Sequence, residues 1–130
     1  MGVYMHFYEV PVYKNCRVFR KKVSEIVKKQ FPNNEKYLLR SQLLDSSRSV
    51  TANIAEGFGR FHYQENIQFC RQARGSLSES MEHLIVSYDE GYLDKASLKE
   101  LNKLYRQCLL ELNIYIKYLK SAKSILTEKK

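Results

Sequence analysis

The residues best suited to chemistry in this chain are arginines. Arg60, Arg71 and Arg74, with Arg48 just upstream, lie in or beside two stretches rich in small residues, Ser49–Arg60 and Phe69–Glu79. Guanidinium forks match phosphate oxygens, so these four are candidates for holding a phosphate backbone. Arg71 and Arg74 are three apart, which on a helix places them on adjoining edges of one face. The plainer reading is ion pairing within or between subunits, to Glu56 or Glu79. Asn53, Glu56, Gly57, Gly75, Ser76 and Glu79 read as structural or assembly residues. Asn53 would bond a neighbouring backbone, Glu56 would pair with Arg60 or Arg74, and Gly75 beside Ser76 would permit a close helix crossing.

The residue types that usually carry catalysis do not assemble. His6, His62 and His83 are scattered, with no HxxxH or HExxH spacing and no Cys at ligand spacing to a His. Cys70 and His83 fall on one expected helix, ~20 Å apart by helix rise, so they cannot form a nucleophile pair within a monomer. Glu79, Glu82 and His83 have the wrong offset for a di-iron bundle. Gly57-Phe58-Gly59 is neither preceded by a strand nor followed by the Lys-Ser/Thr of a phosphate loop. No catalytic residue, metal ligand or cofactor site is therefore expected.

Charge points toward anionic partners. Lys+Arg number 22 against 14 Asp+Glu, a net charge of +8, which raises affinity for phosphate polymers and anionic surfaces. Besides the four arginines, two basic groups stand out: Arg17 and Lys21 in the first helical segment, and Lys117 and Lys120 in the last. In a four-helix up-down arrangement both termini lie at one end, so these groups would form one patch. In a ring, copies of that patch would repeat about an axis. The ten tyrosines suit either stacking on unpaired bases or bundle and subunit interfaces, and interfaces are the commoner use.

Cys16, Cys70 and Cys108 are odd in number and lie among apolar or helix-compatible neighbours, so buried free thiols are expected. That suits a reducing cytoplasm. The opening residues lack a signal-peptide pattern, and no run approaches the ~18 apolar residues of a membrane span.

Four apolar stripes at spacings of three and four must position these residues. The first, Val12, Cys16, Phe19, Val23, Ile26 and Val27, predicts a helix over about 11–30, with Pro11 in its first turn. Phe31-Pro32-Asn33-Asn34 breaks it, and Asn33 or Asn34 would cap the next. Leu39, Leu43, Ser46/Ser47, Val50, Ile54 and Phe58 predict a second helix over about 35–57, ended by Gly57 and Gly59 in a left-handed cap. Ile67, Cys70, Ala73, Leu77, Met81, Leu84, Ile85 and Tyr88 predict a third over about 64–90, stopped by Gly91. The cleanest stripe runs from Leu98 through Leu101, Cys108, Leu112, Ile116 and Leu119 to Leu126, over about 95–126. Asp94 or Ser97 would cap that helix. The fold class is all-α: an antiparallel up-down four-helix bundle in a single domain, 1–130. The aromatic residues 1–10 would pack as an arm on the body or on a neighbouring subunit.

Asn53-Ile-Ala-Glu-Gly57 followed by Arg60, and Ala73-Arg-Gly-Ser-Leu77 followed by Glu79, resemble the four-helix-bundle proteins encoded in intervening sequences of bacterial 23S ribosomal RNA. The accessory protein of diversity-generating retroelements belongs to the same group. The similarity also takes in the Phe31-Pro32 break, Gln42, Ser49, Phe69 and Gly91-Tyr92-Leu93. It implies a bundle that assembles into a ring-like homopentamer. For the retroelement branch it further implies binding of nucleic acid and of a reverse transcriptase through a basic surface. Many relatives carry two arginines just after the position of Gln42. This chain has Leu43-Leu44-Asp45 there, which lowers the positive charge on the second helix. The expected function is a non-enzymatic oligomeric protein binding RNA or DNA non-specifically. The alternative is a scaffold that binds only protein.

Overall fold

A computed structural model of the chain describes residues 4–34 and 38–128. Four helices follow in order: α1, Pro11–Gln30; α2, Leu39–Gly59; α3, Tyr63–Asp89; and α4, Lys95–Glu128. A short 3-10 turn, Phe7–Glu9, precedes them. Each helix packs on the next, and α4 closes back on α1. The connections are short, so neighbours run antiparallel, and α1 and α3 stand diagonally across the core, as do α2 and α4. Among the described residues no helix is long and apolar enough to cross a membrane.

The apolar stripes make the core. Val12, Cys16, Phe19, Val23, Ile26 and Val27 of α1 are buried, and so are Leu43, Val50 and Ile54 of α2 and Ile67, Cys70, Ala73, Leu77 and Leu84 of α3. Leu101, Cys108, Leu112, Ile116 and Leu119 of α4 complete it. Ile85, Tyr88 and Leu126, expected in the stripes, are instead exposed. All three cysteines are free and buried. Hydrogen bonding to Cys108 and then burial push the Cys16 thiol well above its usual range, and burial pushes Cys70 up to about 12.

Helix ends follow local chemistry. Pro11 stands in the first turn of α1, where its missing N–H costs nothing. Phe31, before Pro32, is extended at φ −73°, ψ 137° and ends that helix. Asn33 and Asn34 form a turn but do not cap α2, whose N-cap is Leu38. The expected start of that helix at 35 lies outside the described residues. Gly91 has φ +82°, the Gly91 N–H donates to Tyr88 O at 3.0 Å and the Tyr92 N–H to Ser87 O at 2.9 Å. This pair of bonds is a Schellman motif, and it requires the left-handed residue that glycine supplies. Asp94 Oδ1 accepts from the Ser97 N–H at 2.7 Å, capping α4 and holding the Asp94 carboxyl below its usual range.

Two expectations about glycine fail. Gly57 and Gly59 both lie within α2, and the left-handed residue after that helix is Phe61, at φ 59°. Nor does Gly75 sit at a helix crossing: it is exposed, and a Cβ there would meet nothing within 4 Å. The close approach of α2 and α3 is made by serines and by Gly57. Ser49 Oγ and Ser76 Oγ are 2.9 Å apart, and Ser80 Oγ donates to Ser46 Oγ at 2.9 Å. Small side chains that hydrogen-bond each other let the helices meet without leaving buried hydroxyls unpaired.

Of the expected N-terminal arm, residues 1–3 lie outside the described residues, and the turn Phe7–Glu9 packs on α1 and α2. Val10 is buried, and the Phe7 ring meets Tyr13 edge-on, centroids 5.0 Å apart.

Candidate nucleic-acid interface

The clearest electrostatic feature is the outer face of α1. Lys14, Arg17, Lys21 and Lys28 recur at helical spacing, and all are exposed. None of the four is paired with a carboxylate among the described residues. The row's one carboxylate, Glu25, is held by Lys29 Nζ at 3.0 Å and Lys22 Nζ at 3.7 Å. The hydrogen bond from Lys29, with the charge of Lys22, holds its pKa below the usual value. The unpaired cations therefore face solvent uncompensated, as phosphate binding demands.

The expected basic residues are spread over the bundle rather than gathered on one face. Arg17 and Lys21 are exposed on α1, Lys117 and Lys120 on α4, and Arg48 on α2. The helices α1 and α4 are neighbours, but Asn15 meets Glu111 and Lys22 meets Glu100 at 3.4 Å, so Arg17 and Lys21 stand beside the stretch of α4 between those residues and not beside Lys117 and Lys120. Arg71 and Arg74 are on α3, diagonally opposite α1.

Arg74 is half-buried, and its Nη1 donates to Asn113 Oδ1 of α4 at 2.8 Å. It is tied to neither of the expected partners, Glu56 and Glu79. Arg60 lies 3.7 Å from Glu56 Oε1 and 3.8 Å from Glu65 Oε2. Its guanidinium sits over the Phe69 ring, 5.2 Å from the centroid. Glu79 faces His83 Nε2 at 3.4 Å. Asn53 Nδ2 donates back to Ser49 O and to Ser49 Oγ, each at 2.9 Å. Arg71 alone of the α3 pair is exposed and unpaired among the described residues.

Two features escaped the sequence reading. One is an exposed apolar row on α4, Leu110, Ile114 and Tyr118, 61%, 58% and 49% exposed. Its i, i+4, i+8 spacing was visible in the sequence, but the stronger stripe on the same helix masked it. The row borders a largely apolar cavity of about 450 Å³ whose lining includes Tyr4, Pro11, Phe58, Ile114, Tyr118 and the carboxylate residue Glu111. Asn15 Nδ2 donates to that carboxylate. The other feature is Phe61, whose exposure depends on how α2 ends, and no residue pattern signalled it.

Architecture and surface together define a basic, all-α, up-down four-helix-bundle protein. The chain matches the 23S rRNA-intervening sequence protein family over residues 8–114 and belongs to it. It is similar in structure to a protein of unknown function from the S23 ribosomal protein family of Bacteroides thetaiotaomicron, with a TM-score of 0.75 and 19% identity. That alignment covers 82% of this chain and 98% of the other, and at this identity it speaks for the fold. The curated proteins include none that this chain matches.

Proposed function

We propose that this protein is a non-enzymatic, homo-oligomeric bundle that binds nucleic acid weakly and with little sequence preference. The observation that carries the reading is the row Lys14, Arg17, Lys21 and Lys28, exposed and without carboxylate partners among the described residues. A family named for an intervening sequence of 23S rRNA makes RNA the first polymer to test. Buried free thiols suit the reducing cytoplasm. Self-association is supported by the exposed row Leu110, Ile114 and Tyr118, since apolar surface of this kind marks an interaction site. A ring of five is what the family resemblance implies.

Salt titration tests the binding. If about four phosphates are neutralised per site, affinity falls ~10²-fold between about 50 and 200 mM salt. A flat response, or no retention of RNA or DNA at low salt, removes the reading. The second reading is a scaffold that binds only protein, favoured by the same apolar row on α4. It predicts salt-insensitive capture of a protein partner and a preparation free of nucleic acid.

A further inference from the structure

The residue after α2 breaks a rule that the residue after α3 obeys. Gly91 takes the left-handed position at the end of α3, at φ +82°. The corresponding position after α2 is filled by Phe61, at φ 59°. Its N–H donates to Phe58 O at 3.4 Å, as the Gly91 N–H does to Tyr88 O. A left-handed backbone is unfavourable for any residue with a Cβ, and a bulky ring there is an outlier. Gly59 stands two residues earlier with open space around it, so the chain places a glycine beside the strained position but not at it.

Packing does not compensate for the strain. Phe61 is 73% exposed and has no ring partner among the described residues. Its neighbours Gly59, Arg60, His62 and Gln64 are all exposed and, apart from the glycine, polar. A protein-docking hot spot sits inside a rim of contacts that exclude water, and Phe61 has no such rim. An exposed, unpartnered ring is the form of a stacking platform for unpaired bases. The adjacent Arg60 is shared with Glu56 at 3.7 Å and Glu65 at 3.8 Å, so the uncompensated cation is Arg71, exposed about two helical turns along α3 from that helix's start.

We propose that Phe61 is a platform on which an unpaired base of single-stranded nucleic acid stacks, with Arg71 on the side of the strand's phosphates. This rests on the nucleic-acid reading above and adds to it a residue and a substrate form. Strained backbone positions cluster at functional sites.

The test uses the full chain at low salt, with labelled oligouridine and a GC-rich RNA duplex as probes, followed by fluorescence anisotropy. Phe61→Gly is expected to raise the melting temperature, because glycine relieves the left-handed strain. It is expected to weaken oligouridine binding about fivefold or more and to leave duplex binding unchanged. Phe61→Tyr, which keeps the ring, is expected to retain wild-type oligouridine affinity. Wild-type oligouridine affinity in Phe61→Gly, with duplex binding intact, overturns the platform and leaves the wider reading standing. Binding of neither probe by the wild type overturns both. A lower melting temperature for Phe61→Gly, or a change in its mass by light scattering, assigns the ring to packing or to a subunit interface and overturns the platform.

Discussion

A Cβ on Gly57 would lie 2.7 Å from Asn66 Oδ1, inside the contact limit, with Phe69 Cβ at 2.9 Å and Asn66 O at 3.2 Å behind it. Asn66 cannot easily move aside. It is fully buried, its Nδ2 donates to Tyr115 Oη at 3.3 Å, and its Oδ1 accepts from Cys70 Sγ at 3.4 Å. This junction joins α2, α3 and α4, and it is the reason position 57 carries no side chain.

Gly57→Ala should therefore destabilise the fold by about 1–3 kcal/mol through overpacking, despite the better helix propensity of alanine. Asn66→Ala should recover only part of that loss in a double-mutant cycle, because Phe69 Cβ and the Asn66 carbonyl stay in place. Urea denaturation of the four proteins checks it, and strictly additive losses would exclude the contact.

Gly75→Ala should act in the opposite direction. The site is exposed within α3, and an added methyl meets nothing within 4 Å. Alanine there should stabilise the protein by about 0.5–1 kcal/mol, the ordinary gain of replacing a mid-helix glycine. A loss of stability that grows with protein concentration would mean that position 75 meets a second chain.

Alkaline pH should loosen the core before it touches the charged surface. Burial raises Cys70 from 9.0 to about 12 and Tyr115 from 10.0 to about 12. Both groups hold their protons more tightly folded than unfolded, so the unfolded chain releases protons first and stability falls as pH rises. The decline should begin near 9 with Cys70 and the still more strongly raised Cys16, steepen near 10 with Tyr115 and continue toward 12. Tyr115→Phe should remove the second component, as thermal melts across this range would reveal.

Leu110→Lys combined with Ile114→Lys should reduce the mass measured by light scattering without reducing helix content. Both side chains are more than half exposed, so charging them does little to the single bundle. If the wild type is already a monomer across concentrations, the apolar row is not a subunit interface.

The bundle was legible in the residues because its cause is local and repetitive. Val12, Cys16, Phe19 and Val23, or Leu101, Cys108, Leu112 and Leu119, recur at the helical period, and burying such a stripe leaves few options other than another helix. Pro11, Pro32, Gly91 and Asp94 act within a turn of themselves, so the ends they govern could be read directly. Arg17 and Lys21 of the basic row on α1 were legible for the same reason.

The sequence by itself determined the four helices, most of their ends and the side of each that faces inward. Only tertiary structure decided which small residue marks a close approach: Gly57, Ser46, Ser49, Ser76 and Ser80 do, and Gly75 does not. A glycine permits contact, but the atom that makes contact comes from another helix, and no short-range pattern names it. Tertiary structure likewise tied Arg74 to Asn113 and turned Phe61 outward in a left-handed backbone, because those outcomes depend on how distant segments meet.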